Sequence, residues 1–150
     1  MDEYGDPKIN TELTKIGDPN PLFTLSLTPT IGFNNKYFLS LWLEYRHGGD
    51  RWNGTQAFMD GKPFGVGEDY IEKAYFLRLS NIQFRYVHKF KNNFLESLTV
   101  GLSGKNLFLV TQYKGVDPAS SLFGYDLGYG LDLFNTPTPC SYSIAITLRY

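Results

Sequence analysis

The sequence predicts an all-β fold of antiparallel up-and-down strands, about five of them, forming the last part of a transmembrane β-barrel that stays open or incomplete in isolation. Three observations predict it. First, Tyr142, Ile144, Ile146, Leu148 and Tyr150 alternate with Ser143, Ala145, Thr147 and Arg149, so this strand has one apolar face and one small or polar face. Its length matches the ~9–11 residues of a tilted membrane-crossing strand, with aromatic rings at both ends, where headgroups lie. Second, the chain is 17% aromatic with 15 glycines, a composition expected when only every other strand residue meets lipid. Third, short and long connections alternate along the chain, as periplasmic turns and extracellular loops do in such barrels.

Five segments read as strands: Phe23 to Phe33, Tyr37 to His47, Tyr75 to His88, Leu98 to Val110 and Ser141 to Tyr150. In the first, Phe23, Leu25, Leu27, Ile31 and Phe33 share a face, and Pro29, which has no N–H, marks an expected bulge or ladder break. The second turns Tyr37, Leu39, Leu41, Leu43 and Tyr45 outward, with Phe38 and Trp42 interrupting its polar face. The third changes parity, with Ile82, Phe84 and Tyr86 on one phase and Leu77 and Leu79 on the other. A bulge near Ser80-Asn81, or burial of both faces, accounts for the switch. The connections Asn34-Asn35-Lys36 and Lys89 to Ser97 are short; Gly48 to Ala74 and Thr111 to Cys140 are long. Residues 1–150 read as one structural unit, with no internal repeat.

Net charge is -1 over 150 residues, with no basic run, so nucleic acid is not an expected partner. Cys140 is the only cysteine, which excludes an internal disulfide. Met1-Asp2-Glu3-Tyr4-Gly5-Asp6 has no signal-peptide character. No apolar run reaches the ~20 residues of a membrane helix, so any crossing is by strands. Under the barrel reading, the chain is expected to come from a longer exported precursor.

No enzyme constellation stands out. His47 and His88 are far apart without metal-ligand spacing, and Gly61-Lys62-Pro63-Phe64-Gly65-Val66-Gly67 lacks the phosphate-loop ending. Asp50, Asp60, Glu68 and Asp69 carry hard oxygen donors of the kind calcium takes, with solvated loop carboxylates as the default reading. No catalytic residue, metal site or cofactor is therefore expected. Inward Glu44, Arg46, Gln83, Arg85 and Arg149 suit a polar lumen or cross-strand pairing. Loop aromatics Trp52, Phe58, Phe64, Tyr113, Phe123, Tyr125 and Tyr129 suit stacking on sugars or packing of loops on each other.

Tyr75-Phe76-Leu77-Arg78-Leu79-Ser80-Asn81, Leu102-Ser103-Gly104-Lys105-Asn106-Leu107-Phe108, Tyr113-x-Gly115-x-Asp117-Pro118 and Phe134-Asn135-Thr136-Pro137 occur in that order. Upstream stand Gly17-Asp18-Pro19-Asn20-Pro21 and Gly49-Asp50-x-x-Asn53-Gly54-Thr55. Together they resemble the carboxy-terminal barrel segment of SusC/RagA-type TonB-dependent outer-membrane transporters. The resemblance covers nearly the whole chain but only the last strands of a barrel of about 22 strands with a plugged lumen; the plug is absent here. Two departures stand out. The stretch Gly61 to Ala74 is short for the family, and Ala145 replaces the glycine usual in the terminal signal formed by Ser143, Ala145, Leu148 and Tyr150.

The resemblance implies an outer-membrane location and TonB-energised import of a bulky nutrient, oligosaccharide or peptide, with this chain supplying wall and extracellular loops. It implies as partners a SusD-like surface lipoprotein, TonB through the missing plug, the barrel-assembly machinery and outer-membrane lipid. Tyr37, Leu39, Leu41, Leu43, Tyr45, Tyr142, Ile144, Ile146 and Leu148 form the expected lipid-facing band. Trp52, Asn53, Tyr113, Asp117, Tyr125 and Tyr129 are the candidate ligand or partner positions in the loops. The alternative is a small soluble β-sheet carbohydrate-binding module, which requires both apolar faces to be buried by protein.

Overall fold

The structure, a computed structural model, describes residue 12 and residues 14–62, 67–91, 94–122 and 128–150. The described residues hold strands β1 (Phe23–Leu27), β2 (Thr30–Phe33), β3 (Tyr37–His47), β4 (Asp50–Asn53), β5 (Ile71–Lys73), β6 (Phe76–Lys89), β7 (Ser97–Thr111), β8 (Leu131–Asp132) and β9 (Ser141–Arg149). They also hold one helix, α1 (Gly54–Met59), and a 3-10 turn at Glu68–Tyr70. The fold is all-β and mainly antiparallel, and the sheet does not close into a barrel.

The chain divides into two compact units: Met1–Leu22, His47–Tyr75 and Gln112–Pro137 in one, Phe23–Arg46, Phe76–Thr111 and Thr138–Tyr150 in the other. The first gathers the long connections and is called the loop unit below. The second holds the long strands and is called the wall unit.

The wall unit is a sheet in the order β1-β3-β6-β7-β9, with β2 also paired to β3. The β2–β3, β3–β6, β6–β7 and β7–β9 pairs are antiparallel. Pro29 separates β1 from β2, as its missing N–H predicts, while its carbonyl still accepts from Leu41 N at 3.0 Å. The β2–β3 turn is tight because Asn34 and Asn35 both take left-handed φ, 52° and 53°. Three residues, Asn34 to Lys36, link the paired Phe33 and Tyr37, and asparagine tolerates the left-handed backbone that so short a turn needs.

The parity change in β6 is a bulge. Ile82 opposes Leu41 and Asn81 opposes Trp42, but Leu79 opposes Leu43, leaving Ser80 as the extra residue. On the other side Leu79 faces Phe108 and Asn81 faces Lys105, so Asn106 and Leu107 bulge from β7, with Asn106 at φ 53°. The extra residue returns Leu77 and Leu79 to the face shared by Ile82, Phe84 and Tyr86.

The loop unit was not legible as regular structure. β4 pairs antiparallel with β5 and parallel with β8, in pieces too short to show a period. Its interior is polar as well as apolar: Ala57 and Asp132 are each 1% exposed, and Arg51, Asn53, Asp117 and Pro118 are buried.

Candidate functional site

Register carries one apolar surface across the wall. Rows run Leu39–Phe84–Leu102–Ile144 and Tyr37–Tyr86–Val100–Ile146, with Ile31 beside Leu39 and Phe33 beside Tyr37. Beyond the bulge the surface continues through Leu43–Leu79–Phe108 and Tyr45–Leu77–Val110. Aromatics mark both ends of β3: Tyr37 lies 5.1 Å from Tyr86, and Tyr45 lies 5.9 Å from Phe23, ring centroid to centroid. Exposure is high at the far edge, where Tyr142, Ile144, Ile146 and Leu148 are 79, 72, 68 and 57% exposed. Tyr37 is also exposed, while Leu39, Leu41, Leu43 and Tyr45 are half-buried among their neighbours.

The opposite face carries the interlocked polar side chains, interrupted by Phe38, Trp42, Val87 and Leu109. Thr30 Oγ1 and Ser40 Oγ are 3.0 Å apart, Ser103 Oγ and Ser143 Oγ 2.6 Å, and Ser80 hydrogen-bonds Glu44. The guanidinium groups of Arg46 and Arg78 lie 5.2 and 5.0 Å from the centre of the buried Phe76 ring, the arrangement of a cation over an aromatic face. Ser143 and Ala145 face this polar side of β9; Leu148 continues the apolar one, and Tyr150 follows the last paired residue, 94% exposed.

In the loop unit the motif strings meet. Asn53 caps α1, its side-chain oxygen accepting from Gln56 N at 3.0 Å, which is what an N-cap asparagine does for an orphan helix N–H. Gly54 follows because a Cβ there would drive into the Trp52 ring and approach Asp132 O at 2.9 Å. Thr55 Oγ1 accepts from Phe134 N at 2.7 Å. Tyr113 donates its hydroxyl to Asp132 Oδ2 at 2.6 Å, and a Cβ at Gly115 would enter the Tyr113 ring. Burial first, and the Asp132 carboxylate second, push the Tyr113 phenol far above its ordinary range. Asp117 Oδ1 accepts from Ala119 N at 2.8 Å.

Of the loop candidates, then, Asn53, Tyr113 and Asp117 sit inside the unit and hold it together. Trp52 and Tyr129 instead line a shallow cleft with Ile16, Ile71 and Leu131, with Asp18 and Asp50 also in its lining. Tyr125, with Phe64 and Phe123, lies outside the described residues. Asp132, the most buried of these polar groups, carried no sequence signal. Among the described residues no cluster of three or more metal-type side chains occurs. Asp50 pairs with Lys73 at 2.6 Å, and Asp60 accepts from Tyr70 at 2.9 Å. His47 packs beside Tyr75, and His88 beside Phe90.

Two carboxylates of the loop unit are displaced in pKa. The Lys15 ammonium, then the Asn20 N–H groups, hold Asp18 at about 2 against the ordinary 3.8. Burial works to raise Asp50, but hydrogen bonds from Lys73 and Asp18 N outweigh it, so its pKa is lowered. A carboxylate depressed in the folded state stabilises fully above its unfolded pKa and loses that contribution as pH falls through the folded value. Hydrogen-exchange protection in β4 and β5 is therefore expected to hold above pH ~4 and to fall between ~4 and ~2; constant protection across that window would contradict the pairing. Comparison with protein-family models and with curated proteins returned no match.

Proposed function

We propose that the chain belongs to an outer-membrane active transporter of the SusC/RagA type, in which it supplies barrel wall and extracellular loops for TonB-driven import of a bulky nutrient, oligosaccharide or peptide. One observation carries the reading: a single apolar face, flanked by aromatics, runs in register across the wall strands, while the other face holds the charged and hydroxyl side chains together with Phe38, Trp42, Val87 and Leu109. From Tyr37 to Tyr45 is ~26 Å of strand, which at the usual barrel tilt is ~20 Å of height, comparable to the ~25 Å apolar band of outer-membrane barrels. The long connections gather into one compact unit of their own. A SusD-like lipoprotein would meet those loops, and TonB would act through a plug outside this chain.

The exposure of Ile144 and Ile146 weighs against the soluble carbohydrate-binding alternative, because large contiguous apolar patches are rare on soluble monomers. The test is alternation. In a Cys140→Ser background, single cysteines at Leu41, Ile144 and Ile146, and at Ser40, Ser143 and Thr147, are labelled with an environment-sensitive dye in the full-length protein reconstituted in liposomes. Nitroxide lipids are expected to quench the first set and spare the second. Equal quenching of both sets, or of neither, would remove the membrane reading.

A further inference from the structure

Gly104 interrupts the apolar face of the wall. It stands on the Leu41–Ile82–Gly104–Tyr142 row, where it alone brings no side chain, and it is buried. Three residues on, the bulge in β7 re-aims Leu107 across it: a Cβ on Gly104 would stand 2.9 Å from one Leu107 methyl and 3.1 Å from the other. The bulge is also tied to the segment that leads into β9, because Asn106 Nδ2 donates to Pro139 O at 3.1 Å.

At this dip the sheet carries a groove of about 390 Å³, walled by Ile82, Phe84, Leu102, Leu107, Tyr142 and Ile144. Phe84, Leu102, Tyr142 and Ile144 are exposed, and Ile82 and Leu107 half-buried. A missing side chain and an anchored bulge shape the groove, so it stands ready before any occupant arrives. On the transporter reading this is the outer face of the wall, away from the plug. Pairing the free edge of β9 with a further strand would add a neighbour beside Tyr142 and Ile144 without covering them.

An apolar groove left empty forfeits dispersion contacts along its whole lining, and the medium around an outer barrel face is hydrocarbon. The occupant that suits it is apolar, narrow and flexible. Tyr142 is one of the aromatics that edge the apolar band, where headgroups lie, and Ile144 follows two residues further into the strand. A chain hung from a headgroup at that level reaches the groove from its end.

We infer that the groove at Gly104 seats one acyl chain of a membrane lipid as an individually held molecule, distinct from the fluid chains that solvate the rest of the band. The inference rests on the transporter reading, which gives this face its lipid, and goes beyond it by singling out one place on the wall. A seated chain that gains on the order of ten carbon contacts is retained roughly fivefold better than one on the flat band.

The experiment uses the full-length protein in liposomes doped with a phosphatidylcholine that carries a diazirine midway along one chain. Samples are irradiated before and after transfer to detergent micelles and washing, and cross-links are mapped by mass spectrometry. Before washing, label is expected at Ile82 and Leu107 in the groove and at Ile146 and Leu148 on the flat band. After washing, the groove should retain at least about fivefold more of its label than the flat band. Gly104→Leu, which crowds Leu107 into the groove, should abolish that excess. Ile144→Trp, a change at an exposed rim position with little packing to lose, should do so even if the glycine variant folds poorly. Equal losses from groove and band, label on the band but not in the groove, as when a second protein copy fills it, or undiminished retention in both variants would each overturn the inference and leave the membrane reading standing. Label at neither place before washing would remove both.

Discussion

Ile146→Arg, in the full-length protein refolded into liposomes, is expected to lower the free energy of unfolding by about 2–4 kcal/mol, read from a urea titration. The register puts Leu41 on the row of Tyr142, through Ile82 and Gly104. Barrel strands tilt by about 40°, so three inter-strand steps displace membrane depth by about four residues. That is the displacement that lines up the aromatic ends of β3 with those of β9, and it brings Ile146 to the depth of Leu41, midway between them. On the proposed membrane reading, a guanidinium there would sit in hydrocarbon.

The same substitution separates the two readings of the chain, because Ile146 is 68% exposed and has little packing to lose. In water an exposed change of this kind stays within about 0.5 kcal/mol. Thr147→Arg, one residue on and facing the polar side, serves as the control and is expected to be near neutral. Equal costs for the two variants would refute the assignment of faces.

The second large effect is expected inside the loop unit. Asp132→Ala removes the acceptor of the buried Tyr113 hydroxyl and leaves that group without its partner in a site that excludes water. A hydrogen bond to a charged group, with the penalty for the stranded hydroxyl, is worth about 3 kcal/mol. Amide exchange in α1 and β4 should accelerate by about 100-fold, while β6 and β7 keep their protection. The double variant Tyr113→Phe with Asp132→Ala should recover part of the loss, since neither polar group is then left alone. Unchanged exchange in α1 would show that the pair does not hold the unit.

The wall was readable in the sequence because its chemistry is periodic. One apolar and one mainly polar face impose a two-residue alternation, and departures from it are informative: Pro29 marked the gap between β1 and β2, and the phase change between Leu79 and Ile82 marked the bulge at Ser80. The loop unit follows another logic. β4, β5 and β8 are two to four residues long, and they are fixed by contacts such as Tyr113 with Asp132 that are 19 residues apart in sequence. No local pattern reports such a contact.

The candidate ligand positions show the same limit. Asn53, Tyr113 and Asp117 drew attention because polar and aromatic residues in long loops suit recognition, yet these side chains are spent on helix capping, a buried carboxylate and a turn. The cue was present for Asn53, since asparagine ahead of Gly54-Thr55 is a helix-start string. Asp117 before Pro118 similarly reads as a turn initiator. Trp52 and Tyr129 kept a place on a concave surface, and nothing in their sequence context distinguished them from the other loop aromatics.

Ser80 has a consequence for how this chain tolerates changes of length. Its insertion lets two out-of-step stretches of β6 present matching sides, so removing that one residue would turn half the strand inside out, sending Arg78 to the apolar side and Leu77 and Leu79 to the polar one. Gaining or losing a codon in the surface connections rewrites only a tether. At position 80 it would reverse the orientation of a stave.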